Sequence, residues 1–199
     1  LSPSPSPSPS PRSPSPCDGN GFAMDDQSIR TAVELWLTNK AAAIGVYEDI
    51  STWCTADVTN TKHLFLNAAD FNDDIGDWDV GAVTDMNQMF YDAEVFNQDI
   101  GDWDVGAVTD MNGLFKDAPT FDQNLENWDV AAVTDMSAMF YGANVFNQDI
   151  GDWDVGAVTD MNEMLKAALA FNQDIGEWNV AAVTDMSLMF YQAYAFNQD

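Results

Sequence analysis

The chain has 199 residues, 46% of them apolar, with 33 Asp and Glu against 6 Lys and Arg, a formal net charge of −27. Residues 48–199 alone carry 29 acidic and 3 basic residues. That balance excludes nucleic acid as a partner, because phosphate neutralisation needs clustered Lys and Arg, and an anionic membrane surface would repel the chain.

Residues 1–16 alternate Ser and Pro around Arg12. Proline fixes φ and removes a donor, so neither a helix nor a central strand fits. The tract reads as a polyproline II arm, roughly 50 Å long at about 3.1 Å per residue. Ser/Pro tracts also serve as stalks for O-linked sugars. The candidate acceptors are Ser2, Ser4, Ser6, Ser8, Ser10, Ser13 and Ser15, spaced by Pro3, Pro5, Pro7 and Pro9. The plainer reading is a disordered linker.

Residues 17–47 read as a helical N-terminal cap. Asp25 or Asp26 is placed to cap a helix, and Ile29, Ala32, Val33, Trp36 and Leu37 follow as one apolar stripe. Asn39 and Lys40 suit its end, and Ala41 to Tyr47 can form a second short helix. Cys17 and Cys54 are the two cysteines. A pair at one end of the chain reads as a disulfide fastening the cap in an oxidising compartment, with two free thiols as the alternative.

Residues 48–199 repeat every 25 residues, six times, the first copy degenerate and the last incomplete. Trp53, Trp78, Trp103, Trp128, Trp153 and Trp178 stand in register, as do Phe71, Phe96, Phe121, Phe146, Phe171 and Phe196. Such a period marks a solenoid, whose units bury their apolar faces against their neighbours. Within a repeat, Asp77 to Val80 alternates polar and apolar and predicts a short strand with Trp78 and Val80 inward. Met86, Met89, Phe90 and Ala93 fall at i, i+3, i+4 and i+7 and predict a short helix capped by Thr84 or Asp85. The expected fold class is therefore an α/β solenoid, a right-handed, leucine-rich-repeat-like stack of short parallel strands and short helices behind the cap.

The repeat Phe-Asn-Gln-Asp-Ile-x-x-Trp-Asp-Val-x-x-Val-Thr-Asp-Met-x-x-Met-Phe-x-x-Ala, seen from Phe96 to Ala118 with Leu114 for the usual Met, resembles that of BspA-like leucine-rich-repeat surface proteins. The resemblance covers residues 48–199. It implies a secreted or surface-attached protein with adhesive or structural duties and no enzymatic activity. It carries over no binding residue.

The acidic columns are the sharpest chemical candidates. Stacking would set equivalent residues about 4.8 Å apart. Asp77, Asp102 and Asp152 would then form one outward ladder, and Asp79, Asp104, Asp129 and Asp154 another. Like charges about 5 Å apart in water repel by roughly 0.8 kcal/mol, and Ca²⁺ bridging carboxylates would reverse the sign. The bland alternative is a solvated acidic face. Asp85 and its equivalents read as caps. The Asn72 column reads as a buried ladder to the adjoining backbone, and the Asp74 column has no assigned role. The Trp column reads as core, and Tyr91, Tyr141 and Tyr191 as better placed for surface contacts. His63 is the single histidine, and no phosphate loop, nucleophile elbow or zinc cluster accompanies it.

The sequence is thus read as a mature or partial chain of a non-catalytic extracellular or cell-surface protein. It needs no cofactor, and calcium is the one ion its ladders leave open. Its expected partners are O-linked glycans and copies of itself, joined head to tail through an open apolar end around Phe196 into a filament or fibrous layer. The alternative is an adhesion module that takes a protein or glycan on an acidic concave face, with or without calcium.

Overall fold

The computed structural model describes residues 21–198. Cys17 and the Ser and Pro positions of the arm lie outside them, so the disulfide and glycosylation expectations do too. Cys54 is buried.

The cap forms much as its sequence dictates. Strand β1 (Ala23–Asp25) leads into helix α1 (Ser28–Thr38) and helix α2 (Lys40–Tyr47). Asp25 supplies the helix start from outside: its Oδ1 accepts from the Gln27 and Ser28 amides at 3.1 and 2.7 Å. Asn39 ends α1 and caps α2 by accepting from the Ala42 amide. Ile29, Ala32, Val33 and Trp36 are buried as the stripe requires, but Leu37 is exposed. A 3₁₀ turn (Ile50–Thr52) then leads to β2 (Cys54–Asp57), which pairs in parallel with β1.

From residue 58 onward the described chain contains neither a helix nor an extended strand, only turns and one bridge per repeat. The short helix expected at 86–93 does not form. Gln88 and Asp92 have φ of 52° and 58°, and the same two positions are left-handed in every turn: His63 and Asn67, Gly113 and Asp117, Ala138 and Gly142, Glu163 and Ala167, Leu188 and Gln192. A left-handed residue every fourth position breaks an α-helix. The segment instead zigzags. The Met89, Tyr91 and Ala93 amides bond locally, three residues back, while those of Met86, Gln88, Phe90 and Asp92 donate to the Asp110, Asn112, Leu114 and Lys116 carbonyls of the next turn at 2.8–3.0 Å.

Four such bonds recur between each pair of successive turns. The inter-turn ladder therefore runs where a helix was expected. The expected strand at 77–80 makes no backbone bond to its neighbours, although Trp78 and Val80 do face the core. The Thr84 column closes a second seam, its amides donating back to the preceding Thr carbonyl at 2.8–2.9 Å.

Side chains fill the stack in columns. Phe65, Phe90, Phe115 and Phe140 lie 5.5–5.7 Å apart from turn to turn. Each packs at 3.9–4.0 Å on a second column, Phe71, Phe96, Phe121 and Phe146. Leu165 interrupts the first column. The Trp indoles are buried, and those of Trp78, Trp103, Trp128, Trp153 and Trp178 donate to the Ile or Leu carbonyl 28 residues earlier at 2.9–3.2 Å. Trp53 follows the cap rather than a full turn, and its buried Nε1 has no hydrogen-bond partner among the described residues.

Candidate functional site

Each full turn bends sharply at three places, and an Asp side chain, or Asn at Asn124 and Asn179, holds each bend. Asp74, Asp79 and Asp85 accept through Oδ1 from the amides of Gly76, Gly81 and Asn87, two residues on, at 2.9–3.1 Å. The pattern recurs at Asp99, Asp104 and Asp110 and at Asp149, Asp154 and Asp160. These are Asx turns, in which a short acceptor side chain mimics a backbone carbonyl. They give the Asp74 column, unassigned by sequence, a definite task. The Asp85 column caps no helix; its carboxylates hold local Asx turns, while the backbone carbonyls of the same residues accept the first bond of the inter-turn ladder.

The expected calcium ligands divide. Asp79, Asp104, Asp129 and Asp154 each commit one carboxylate oxygen to an Asx turn. Asp77, Asp102 and Asp152 are exposed. Among the described residues no three acidic, His or Cys side chains converge into a set able to hold a metal ion. The Asn72 column does form the expected ladder, with Asn72 Oδ1 accepting from the Asn97 amide and so on to Asn197 at 2.8–2.9 Å. Its residues are exposed or half-buried rather than buried.

Two features escaped sequence reasoning. The first is a stripe in one 25-residue register: Tyr91, Lys116, Tyr141, Lys166, Tyr191. Lys116 Nζ sits 5.4 and 4.7 Å from the Tyr91 and Tyr141 ring centroids, and Lys166 Nζ 4.8 and 5.8 Å from those of Tyr141 and Tyr191. Cations between ring faces are attracted by the ring quadrupoles. The hydrogen bond to Glu163 raises the Lys166 ammonium above its ordinary value against the pull of desolvation. Beside the stripe, burial pushes the Asp117 carboxyl up; Lys116 opposes this and Asp92 adds to it. The strict Tyr/Lys alternation was the signal.

The second is the closure of the head. The first turn has no preceding turn to donate to its carbonyls, and Arg30 of α1 substitutes. Its guanidinium donates to the Lys62 and Asn60 carbonyls at 2.7 and 3.1 Å and to Asn60 Oδ1 at 2.8 Å. Asp26 supplies the complementary acceptor, taking the Thr59 and Asn60 amides at 2.7 and 3.0 Å. Burial works against the Asp26 charge, but hydrogen bonds from Thr59 and Asn60 and the nearby Arg30 outweigh it and hold the carboxyl below its usual range. A cleft of ≈ 500 Å³ opens here, lined by Asp26, Gln27, Arg30, Asn60, Lys62 and His63.

The family described as "Mycoplasma protein of unknown function, DUF285" matches residues 36–145 and again 119–199. The chain belongs to this family. The DUF285 matches begin inside α1 and take in every turn of the stack, including the Tyr/Lys stripe. No curated protein and no solved structure matches the chain. No helix among the described residues is long and apolar enough to cross a membrane.

Proposed function

We propose that this DUF285 protein is a non-catalytic structural protein of the cell exterior. In this reading it is a solenoid of the BspA-like leucine-rich-repeat kind that assembles by stacking. The supporting observation is the inter-turn ladder, whose four backbone hydrogen bonds recur between each pair of successive turns among the described residues and present a pattern that a further turn, of this chain or of a second copy, can extend. Met186, Leu188, Phe190 and Gln192 hold the ladder positions whose amides, in every earlier turn, donate to the turn that follows. Here those amides have no acceptor among the described residues. Met186, Leu188 and Phe190 are 43%, 51% and 36% exposed, whereas Met161 and Leu165, the positions equivalent to Met186 and Phe190 one turn earlier, are fully buried. Such a face accepts carbonyls and apolar side chains together.

The head of a second copy offers the carbonyls, while its own apolar side chains Val58, Leu64 and Phe65 are already buried. The 25-residue register would bring its Asn60, Lys62, Leu64 and Leu66 carbonyls to the four donors. Arg30 already holds the first two, while the Leu64 and Leu66 carbonyls accept no hydrogen bond among the described residues. In this reading head-to-tail growth begins at Leu64 and Leu66 and is completed only as Arg30 lets go. Light scattering coupled to size-exclusion chromatography tests it. The expected result is mass rising with concentration in the full chain and staying monomeric in Met186→Asp/Phe190→Asp. A full chain monomeric at every concentration ends the reading.

A second reading, an adhesion module, draws its support from the Tyr/Lys stripe, where among the described residues of the repeats aromatic and basic side chains meet at the surface. Neither reading requires a cofactor.

A further inference from the structure

The basic residues are few enough to follow one by one. Among the described residues, Lys40 pairs with Asp73 at 2.5 Å. Lys116 and Lys166 lie between tyrosine rings. Arg30 closes the head of the stack. Lys62 and His63 remain, and their side chains make no hydrogen bond or ion pair with any described residue. Both line the same cleft.

This pair belongs to the first turn alone. Later turns hold Asn87-Gln88, Asn112-Gly113, Ser137-Ala138, Asn162-Glu163 and Ser187-Leu188 at the same places. Unlike the carboxylate columns, the cleft is a single spot, as a binding site normally is. Its own carboxylate is already engaged, since Asp26 takes the Thr59 and Asn60 amides and the Thr59 hydroxyl. Arg30 uses three of its five N–H donors on Asn60 and Lys62 and keeps two. Two cations, of which Arg30 is held in place, and an imidazole thus line the cleft with one saturated carboxylate, beside the positive end of α1.

We propose that this cleft binds an oxyanion, with Lys62 and His63 as its direct contacts and Arg30 as a fixed third donor. The shared chemistry is a carboxylate, sulfate or phosphate group. Two sources can supply it: a free anion in solution, or the exposed carboxylate columns of a second copy, such as Asp102 and Asp152.

The single histidine makes the test specific, because one imidazole resonance reports on the cleft. The full chain is titrated with sodium sulfate, and separately with inorganic phosphate, chloride being used to hold ionic strength constant. The expected result is a saturable shift of the His63 signal that weakens at least tenfold in Lys62→Gln and persists in Lys116→Gln. Lys62→Gln places a neutral polar side chain where later turns carry Asn or Ser, so it leaves the stack intact. A shift that never saturates, or one unchanged in Lys62→Gln, overturns the proposal. Dilution without added anion separates the sources. A His63 signal that moves on dilution and is restored by sulfate assigns the site to carboxylates of a second copy. A signal indifferent to dilution but saturable by sulfate assigns it to a free anion.

Discussion

Replacing one phenylalanine at two depths of the stack separates packing between turns from packing within them. Phe115 is fully buried, with ring centroids of Phe121, Phe90, Phe140 and Trp128 at 3.9, 5.7, 5.7 and 6.3 Å. Phe190 holds the equivalent place in the last described turn but is 36% exposed and touches one ring, Phe196, at 4.3 Å. Phe115→Ala removes a buried ring and leaves a cavity that neighbours on both sides prevent from collapsing, a loss of about 4 kcal/mol. Phe190→Ala removes a partly solvated ring with open space beyond it and costs about 1–2 kcal/mol from lost burial alone. The gap of at least about 2 kcal/mol is roughly a thirtyfold difference in the folding constant. Urea unfolding followed by tryptophan fluorescence measures both variants under one set of conditions. Equal losses would refute the reasoning, since they would mean that each turn carries its own core.

Arg30→Ala should cost about 2 kcal/mol by leaving the Asn60 and Lys62 carbonyls without donors, and Arg30→Lys should restore little, lacking the guanidinium fork; thermal melts compare the two. Gly142→Ala should destabilise by about 2 kcal/mol, because φ is +71° and the new methyl would meet Asp117 Oδ1; urea midpoints read the loss. The raised Asp117 carboxyl sets a pH dependence. Its native state holds the proton more tightly than the unfolded chain, so the charged form opposes folding above the raised value. That opposition fades as pH falls through the raised value toward the ordinary aspartate value of 3.8. Asp117→Asn should therefore raise the melting temperature at neutral pH and leave it unchanged once both states are protonated. Asp25, Asp26 and Asp185 have the opposite sign: hydrogen bonds from Ser28, from Thr59 and Asn60, and from Ser187 lower them, in Asp26 against its burial. Their contribution is present above the unfolded value and lost as pH falls through the lower native one, so Asp26→Asn should destabilise most at neutral pH.

The period, the buried Trp and Phe columns and the α1 stripe were legible because each is a spacing that only stacking or a helix satisfies. The local path of each turn was not. Met86, Met89, Phe90 and Ala93 all point inward, as they would from a helix, and spacing cannot separate a helix from a chain that turns back every four residues. The trace that could have separated them is the placement of glycine: Gly113 and Gly142 fall in the two columns that are left-handed in every turn. Leu37 was read into the stripe because its spacing fits, yet Trp36 beside it fills the contact, its ring 5.8 Å from that of Trp53. The acidic columns were read as free charge because an Asx turn needs a backbone bend that composition does not reveal. The cleft was invisible because Arg30 and the Lys62-His63 pair are about thirty residues apart in sequence.

Residue-resolved amide hydrogen exchange on the monomer tests most directly the claim that each turn is held by the next. Alternate amides of the central turn, those of Met111, Gly113, Phe115 and Asp117, should be protected close to the limit set by global unfolding, while Met186, Leu188, Phe190 and Gln192 exchange near the free rate. Rapid exchange at Gly113 and Phe115 would contradict it.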